Sequence, residues 1–319
     1  MTEAEARGSI VEAGRRLLAE GLVARSWGNL SLRLDERTMV ITPSGIPYTR
    51  LGEEMLVLVD LETGAWSGRW KPSGERGVHR EIYMRRPDVG AVVHSHQNAA
   101  SVFAAARSAV RMPWGDCLCA SYALPGTREL TRATVRALGE APAVLMANHG
   151  AFTVGSDLGQ AFERIRDLEK ACADFMEDKA KGSLPTRLDA PWDPTWLRSL
   201  HLADGSEACL SAAPFTLAWA RRNRSMLPVL DDLAQLAGTR VRRVANLPLT
   251  RPRAQAVFVQ GQGALLLGEE SEALALVLEK AARAAMAGEL LGGAMPIPTW
   301  EAALMRYVYR HSYAKQAAV

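Results

Sequence analysis

The sequence lacks long apolar runs. Nothing in its 319 residues approaches the ~20 consecutive apolar residues that cross a bilayer, so no membrane span is expected. Charges are scattered through residues 1–20, which leaves no apolar core for a signal peptide. Cysteine is scarce: Cys117, Cys119, Cys172 and Cys209 are the full complement. Cys117-x-Cys119 is too close for an easy disulfide, and no second pair completes a zinc site. Reduced, semi-buried thiols in a cytoplasmic protein are therefore expected. The chain also lacks an excess of one charge. Its 38 Lys+Arg stand against 35 Asp+Glu, a formal net charge of +3, so no nucleic-acid partner is indicated. The run Arg221-Arg222-Asn223-Arg224 reads as solvated surface. Histidine is sparse as well, with six in the chain: His79, His94, His96, His149, His201 and His311. Where they fall is therefore informative.

What is present describes an ordinary globular chain, 48% hydrophobic and 23% charged, of a length for one large or two modest domains. Residues 3–21 predict an amphipathic helix with Ile10, Ala13, Leu17 and Leu18 on one face and Gly21 as its stop. Leu30, Leu32 and Leu34 alternate with Ser31 and Arg33, which predicts a strand with one wet face. Short strands are expected at 39–41 and 56–61, helices at 76–85, 98–107 and from the 122–130 loop to about 138, and strands at 143–150 and 151–155. A long helix over 157–180 carries Leu158, Ala161, Ile165, Leu168 and Ala171 at helical spacing. Pro185, Pro191 and Pro194 then break the pattern. A domain boundary is placed near residue 190, giving residues 1–190 and 191–319.

The organising stretch is Val89-Gly90-Ala91-Val92-Val93-His94-Ser95-His96. It reads as a short buried strand. Residues two apart share a face, so His94 and His96 present two imidazoles side by side. His149 ends a second buried strand at Asn148-His149-Gly150. Three imidazoles with an open position is the pattern of a catalytic divalent site. Glu75 starts a predicted helix. It is either a carboxylate pairing with the helix end or a base beside the metal. Three loops rich in hydroxyls or glycine (28–31, 42–45 and 72–74) are either plain turns or cradles for a phosphate or carboxylate. The chemistry that fits is proton abstraction or carbon–carbon cleavage beside a carbonyl.

Residues 257–286 echo residues 144–176. Val257-Phe258-Val259-Gln260-Gly261-Gln262-Gly263 lines up with Val144-Leu145-Met146-Ala147-Asn148-His149-Gly150, and both lead to a Leu-Glu-Lys-Ala unit, Leu168–Ala171 and Leu278–Ala281. Gln262 stands in the place of His149. The later region has no His-x-His. A duplicated, shortened domain without metal ligands is expected, one that packs or lids but does not catalyse.

Residues 5–180 resemble the class II aldolase/adducin family. The motifs that carry the resemblance are Gly28-Asn29-Leu30-Ser31, Thr42-Pro43-Ser44-Gly45, Pro72-Ser73-Gly74-Glu75, Arg86-Pro87-Asp88, Val92-Val93-His94-Ser95-His96, Tyr122 with Gly126-Thr127-Arg128-Glu129-Leu130, and Asn148-His149-Gly150. The resemblance implies an α/β/α sandwich around a mainly antiparallel sheet. It implies zinc, or another divalent metal such as Mn2+, Fe2+ or Co2+, on His94, His96 and His149. It gives Glu75 the acid/base role, and gives Tyr122, or a tyrosine from another subunit, the protonation of a leaving oxygen. It assigns Asn29, Thr42, Ser44, Gly45, Ser73 and Gly74 to the substrate's anionic group. The aldolases tend to have two serines before the Glu; Gly74 replaces the second here, which leaves a carboxylate as open as a phosphate. The implied activity is a metal-dependent lyase (aldolase) acting on a small sugar-phosphate or hydroxy-acid through an enediolate. A decarboxylase, a 4-epimerase, an oxygenase and a non-catalytic adducin-like interaction protein are the alternatives. A homo-oligomer, by resemblance a tetramer, is expected.

Overall fold

The computed structural model describes residues 1–313. Helix α1 (Glu3–Ala19) is closed at its start by a reciprocal box: Thr2 Oγ1 accepts from the Glu5 N–H, and the Glu5 carboxylate accepts from the Thr2 N–H. Strands β1 (Asn29–Arg33), β2 (Thr38–Ile41) and β3 (Val57–Asp60) follow. Helix α2 (Arg76–Arg85) leads to β4 (Ala91–Ser95) and α3 (Asn98–Ala106). Strands β5 (Val110–Met112) and β6 (Gly115–Cys117) pair as a separate hairpin. Then come β7 (Cys119–Ala120), α4 (Arg128–Leu138), β8 (Ala143–Met146), β9 (Ala151–Gly155) and the long α5 (Leu158–Ala180).

These build a seven-stranded sheet ordered β3-β2-β1-β4-β9-β8-β7, antiparallel except where β7 runs parallel to β8. Strand β4 is central because both its faces are apolar. Val92 clusters with Ile82 and Tyr83 of α2 and Leu130 and Leu138 of α4. Ala91 and Val93 cluster with Ile10 and Leu17 of α1 and Phe162 and Ile165 of α5. The expected α/β/α layering is what the strand and helix pattern produces. One expectation is corrected. Ser31 was to lie on a wet face of β1, but it is fully buried, because α2 covers that face. Its hydroxyl lies 2.7 Å from His79 Nδ1 and 2.8 Å from the Tyr83 hydroxyl. The polar position in the alternation marks a buried hydrogen-bonding site instead.

The rest of the chain forms a five-stranded sheet from β10 (Leu197–His201), β11 (Glu207–Ser211), β12 (Arg242–Val244), β13 (Ala256–Val259) and β14 (Gly263–Leu266). Its order is β10-β11-β14-β13-β12, and only β12 and β13 are parallel. Helices α6 (Pro214–Arg221), α7 (Asp231–Ala237), α8 (Ser271–Gly288) and α9 (Thr299–Val308) accompany it. Helix α8 packs on both α3 and α6. One apolar cluster therefore joins the halves, with Val102 and Phe103 from the first and Phe215, Leu274, Leu278 and Ala281 from the second.

The four cysteines are free thiols. Burial pushes Cys117 and Cys119 up to about 12, so neither is a reactive thiolate. Arg222 and Arg224 pair with Glu289 at 2.6 and 2.7 Å at the surface. Among the described residues no helix is long and apolar enough to cross a membrane.

Candidate metal centre

Strand β4 and the residue just beyond it place His94 and His96 on the face that α2 covers. The β8–β9 turn brings in His149. That turn is tight: Asn148 adopts the left-handed conformation at φ +62°. A Cβ on Gly150 would sit 2.3 Å from the Ser95 carbonyl oxygen. Gly28, at φ +79°, approaches the His94 carbonyl as closely, with a Cβ there 2.6 Å away. These glycines let three backbone segments meet around the imidazoles.

The rings converge. The Nε2 atoms of His94 and His96 are 2.9 Å apart, and one donor atom from each of the three histidines lies within 4.8 Å of the others. His94 donates its Nδ1–H to the Ala151 carbonyl at 2.9 Å, and His96 donates its Nδ1–H to Asp232 Oδ1 at 2.8 Å. With protons on Nδ1, each Nε2 turns a lone pair toward the other. Two lone pairs cannot share a hydrogen bond, whereas a cation between them satisfies both. Burial pulls His96 to about 4 despite Asp232 and His149 to about 3 despite Glu75. The residues present fit a divalent metal.

Glu75 precedes α2 but makes no capping bond. Its carboxylate points at the histidines, with Oε2 3.2 Å from His94 Nε2 and Oε1 3.3 Å from His149 Nε2. Burial works to raise its pKa, but His94, His149 and the Asn29 amide hold it below the usual range. Asn29 Nδ2 donates to Glu75 Oε2 at 2.8 Å, so its oxygen faces His79 Nε2 at 2.5 Å. The chain of contacts continues from His79 to Ser31 and Tyr83. Burial holds His79 well below its ordinary pKa, so it is a neutral relay and not a charge.

A cavity of about 200 Å³ opens on this cluster, lined by Ser44, Ser73, Gly74, Glu75, His96 and His149. Asn29 also lines it, but both ends of its amide are already engaged. Thr42 and Gly45 are not among the lining residues; Thr42 Oγ1 accepts from the Leu30 N–H at 3.2 Å and ties β1 to β2. Tyr122 is not among them either. Its hydroxyl donates to the Glu301 carboxylate, and Arg107 lies 5.3 Å from its ring centre.

The sequence reading missed His79, Asp231, Asp232 and Lys280. His79 was accessible, since Glu75 and His79 are one helical turn apart. Asp231 and Asp232 were not. They precede an apolar run in the second half, and Asp232 meets His96 across 136 positions.

A family model described as the Class II Aldolase and Adducin N-terminal domain matches residues 8–175. The 5-methylthioribulose-1-phosphate/5-deoxyribulose-1-phosphate aldolase of Rhodospirillum rubrum is 35% identical over 177 residues, 53% of this chain and 79% of that one. The 3-oxo-tetronate 4-phosphate decarboxylase of Haemophilus influenzae is 29% identical over 188 residues, 55% of this chain and 89% of that one. A solved L-fuculose 1-phosphate aldolase is 29% identical and has a TM-score of 0.55, covering 57% of this chain and 90% of its own. The matched residues include Glu75 and all three clustered histidines, and the chain belongs to the class II aldolase and adducin family.

Proposed function

We propose that this chain is a metal-dependent lyase of the aldolase type, acting on a small hydroxy-carbonyl substrate with an anionic end. The observation that carries the reading is the convergence of three buried imidazoles with the Glu75 carboxylate, which lies 3.2 and 3.3 Å from two of them. The family generally uses a divalent metal. His94, His96 and His149 would hold it, and when bound it polarises the hydroxy-carbonyl pair beside the bond that breaks. Glu75 is the catalytic residue. Held below the usual carboxylate range, it is a base at neutral pH and moves the proton at the carbon that gains or loses the bond. Asn29, fixed by His79, orients one Glu75 oxygen; Oε1 has no hydrogen-bond partner and is the oxygen available for the proton. Ser44, Ser73 and Gly74 line the same cavity and receive the anion. Across from them stand the apolar side chains of Trp27, Leu304, Met305 and Val308, which suit a deoxy or similarly apolar end of the substrate. The step is written without the Tyr122 hydroxyl, which is engaged by Glu301.

Relatives named as an aldolase, a decarboxylase and an L-ribulose-5-phosphate 4-epimerase share the frame, so the reaction needs its own test. The purified chain is loaded with zinc, manganese or cobalt and given ketose 1-phosphates and 3-oxo acids. Release of an aldehyde, reduced about 10²–10⁴-fold in Glu75→Gln, is the expected result. Release of CO2 without aldehyde assigns decarboxylation instead. Turnover that survives both Glu75→Gln and His94→Ala sinks the proposal.

We further infer that residues 191–319 are a degenerate, truncated repeat of residues 1–190. Strands β1-β4-β9-β8-β7 and β10-β11-β14-β13-β12 share one order and one pattern of directions. Glu169 of α5 accepts from the Ala99 and Ala100 N–H groups at the start of α3, and Glu279 of α8 accepts from those of Phe215 and Thr216 at the start of α6. Ser95 opposes Ala151, as Ser211 opposes Ala264. By that register Leu210, Ala212 and Gln262 stand where His94, His96 and His149 do.

A further inference from the structure

We propose that the second half of the chain completes the metal centre: Asp231 supplies a fourth protein donor, an oxygen, and Asp232, clamped by Lys280, is the positioning residue that fixes His96. The inference rests on the metal reading of the three imidazoles and extends it to residues outside the family match, which ends at residue 175.

Geometry comes first. Asp231 lines the cavity, and its Oδ2 lies 3.4 Å from His149 Nε2. Donors bonded to one ion at about 2.1 Å each are held roughly 3–3.5 Å apart. Glu75, at 3.2 and 3.3 Å from the histidine nitrogens, shows the same spacing on the other side. One donor atom from each of His96, Asp231 and Asp232 forms a second cluster within 4.8 Å, sharing His96 with the first.

The donor set comes second. Asp231, Asp232 and Lys280 are buried, Glu75 is nearly so, and Lys280 ion-pairs with Asp232. Carboxylate oxygens gathered beside imidazole nitrogens are a donor set that suits a divalent cation.

The second half also grips the ligands. Asp232 accepts from His96 Nδ1–H, and Lys280 Nζ donates to both Asp232 and the His96 carbonyl oxygen. The Asp231 N–H donates to the Asn148 carbonyl at 2.9 Å. Asn148 Nδ2 donates to the carbonyls of Val229 and Met295 at 2.9 and 2.6 Å. His149 therefore projects from a turn anchored by the second half. A carboxylate behind a metal-bound imidazole fixes its tautomer and raises its basicity.

The test uses the full-length chain, stripped of metal and titrated with zinc against a chromophoric chelator, and in parallel loaded with cobalt(II) for its visible spectrum. Asp231→Asn is expected to weaken zinc at least 10-fold and to alter the cobalt spectrum, because a donor has changed. Asp232→Asn is expected to weaken zinc about 10–100-fold while largely keeping the cobalt spectrum. If Asp231→Asn does not fold, Asp231→Ser takes its place. His94→Ala is the control. Zinc lost in His94→Ala but bound at full affinity by both Asp variants overturns this proposal and leaves the metal reading standing. Zinc retained at full affinity by His94→Ala removes the metal reading, and this proposal with it.

Discussion

Two turns in this molecule share a hydrogen-bond pattern and are opposite in use. In one, residues 146–151, the His149 N–H donates to the Met146 carbonyl, Asn148 is left-handed, and a Cβ on Gly150 would strike the Ser95 carbonyl. In the other, residues 259–264, the Gln262 N–H donates to the Val259 carbonyl, Gly261 is left-handed, and a Cβ on Gly263 would strike the Ser211 carbonyl. The surroundings differ. The first turn is roofed by α7 and the 295 loop, and His149 is buried; the second turn faces solvent, and Gln262 is exposed. Local backbone geometry is thus not what makes a ligand site. The imidazoles of β4 and the carboxylates from across the chain do that.

The comparison is broken most severely by exchanging the turn side chains. His149→Gln is expected to lose stoichiometric zinc and to lower lyase turnover by on the order of 10³ or more, since a donor and the charge it helps place are both removed. Gln262→His is expected to gain no metal and to leave turnover unchanged, because Leu210 and Ala212 offer no second ligand beside it. Elemental analysis and initial rates check both. Zinc acquired through Gln262→His would show that the second sheet retains a latent site.

The second contrast is in pH. In metal-free protein His96 and His149 are buried neutral, with pKa values near 4 and 3 in the fold against about 6.5 unfolded. Both values are depressed, so the unfolded chain binds more protons below pH 6.5. Their contribution is fully present above that value and is lost as pH falls toward 4 and then 3. A loss of several kcal/mol is expected between pH 7 and 4, read as a falling urea midpoint. His149→Gln is expected to flatten the profile; an unchanged slope would place the protons elsewhere.

These effects show what the sequence could and could not disclose. His94, His96, His149 and Glu75 were readable because local patterns place them: a two-residue strand period, a strand end, a helix start. Ser31 was misread because alternation reports which face is polar and not whether water reaches it. The substrate roles given to Asn29 and Thr42 came from motif position, while their hydrogen bonds are made within the fold. Asp231, Asp232 and Lys280 had no local signal at all. Their place beside His96 is fixed by α8 packing on α3, a long-range contact among alanine- and leucine-rich faces that any amphipathic helix could offer.

A smaller effect, nearly equal in the two halves, is expected from the paired caps. Glu169→Gln and Glu279→Gln each weaken two backbone hydrogen bonds to a buried carboxylate at a helix start. Each is expected to destabilise by about 2–4 kcal/mol in chemical denaturation. A Glu279→Gln cost near zero beside a large Glu169→Gln cost would argue against the repeat as a structural equivalence.

The smallest effect lies at the left-handed positions of the two turns. Gly261→Asn changes stability by no more than about 0.5 kcal/mol, because asparagine tolerates that conformation and nothing lies within 4 Å of the added Cβ. The mirror change, Asn148→Gly, keeps the backbone equally comfortable yet removes the donors to the Val229 and Met295 carbonyls and the acceptor for Arg107. About 2–3 kcal/mol is expected from those buried partners, with zinc weakened in parallel. Urea titration of the two variants decides the matter. A costly Gly261→Asn would mean that the second turn is also packed against something, and an inexpensive Asn148→Gly would mean that the second half does not hold His149 in place.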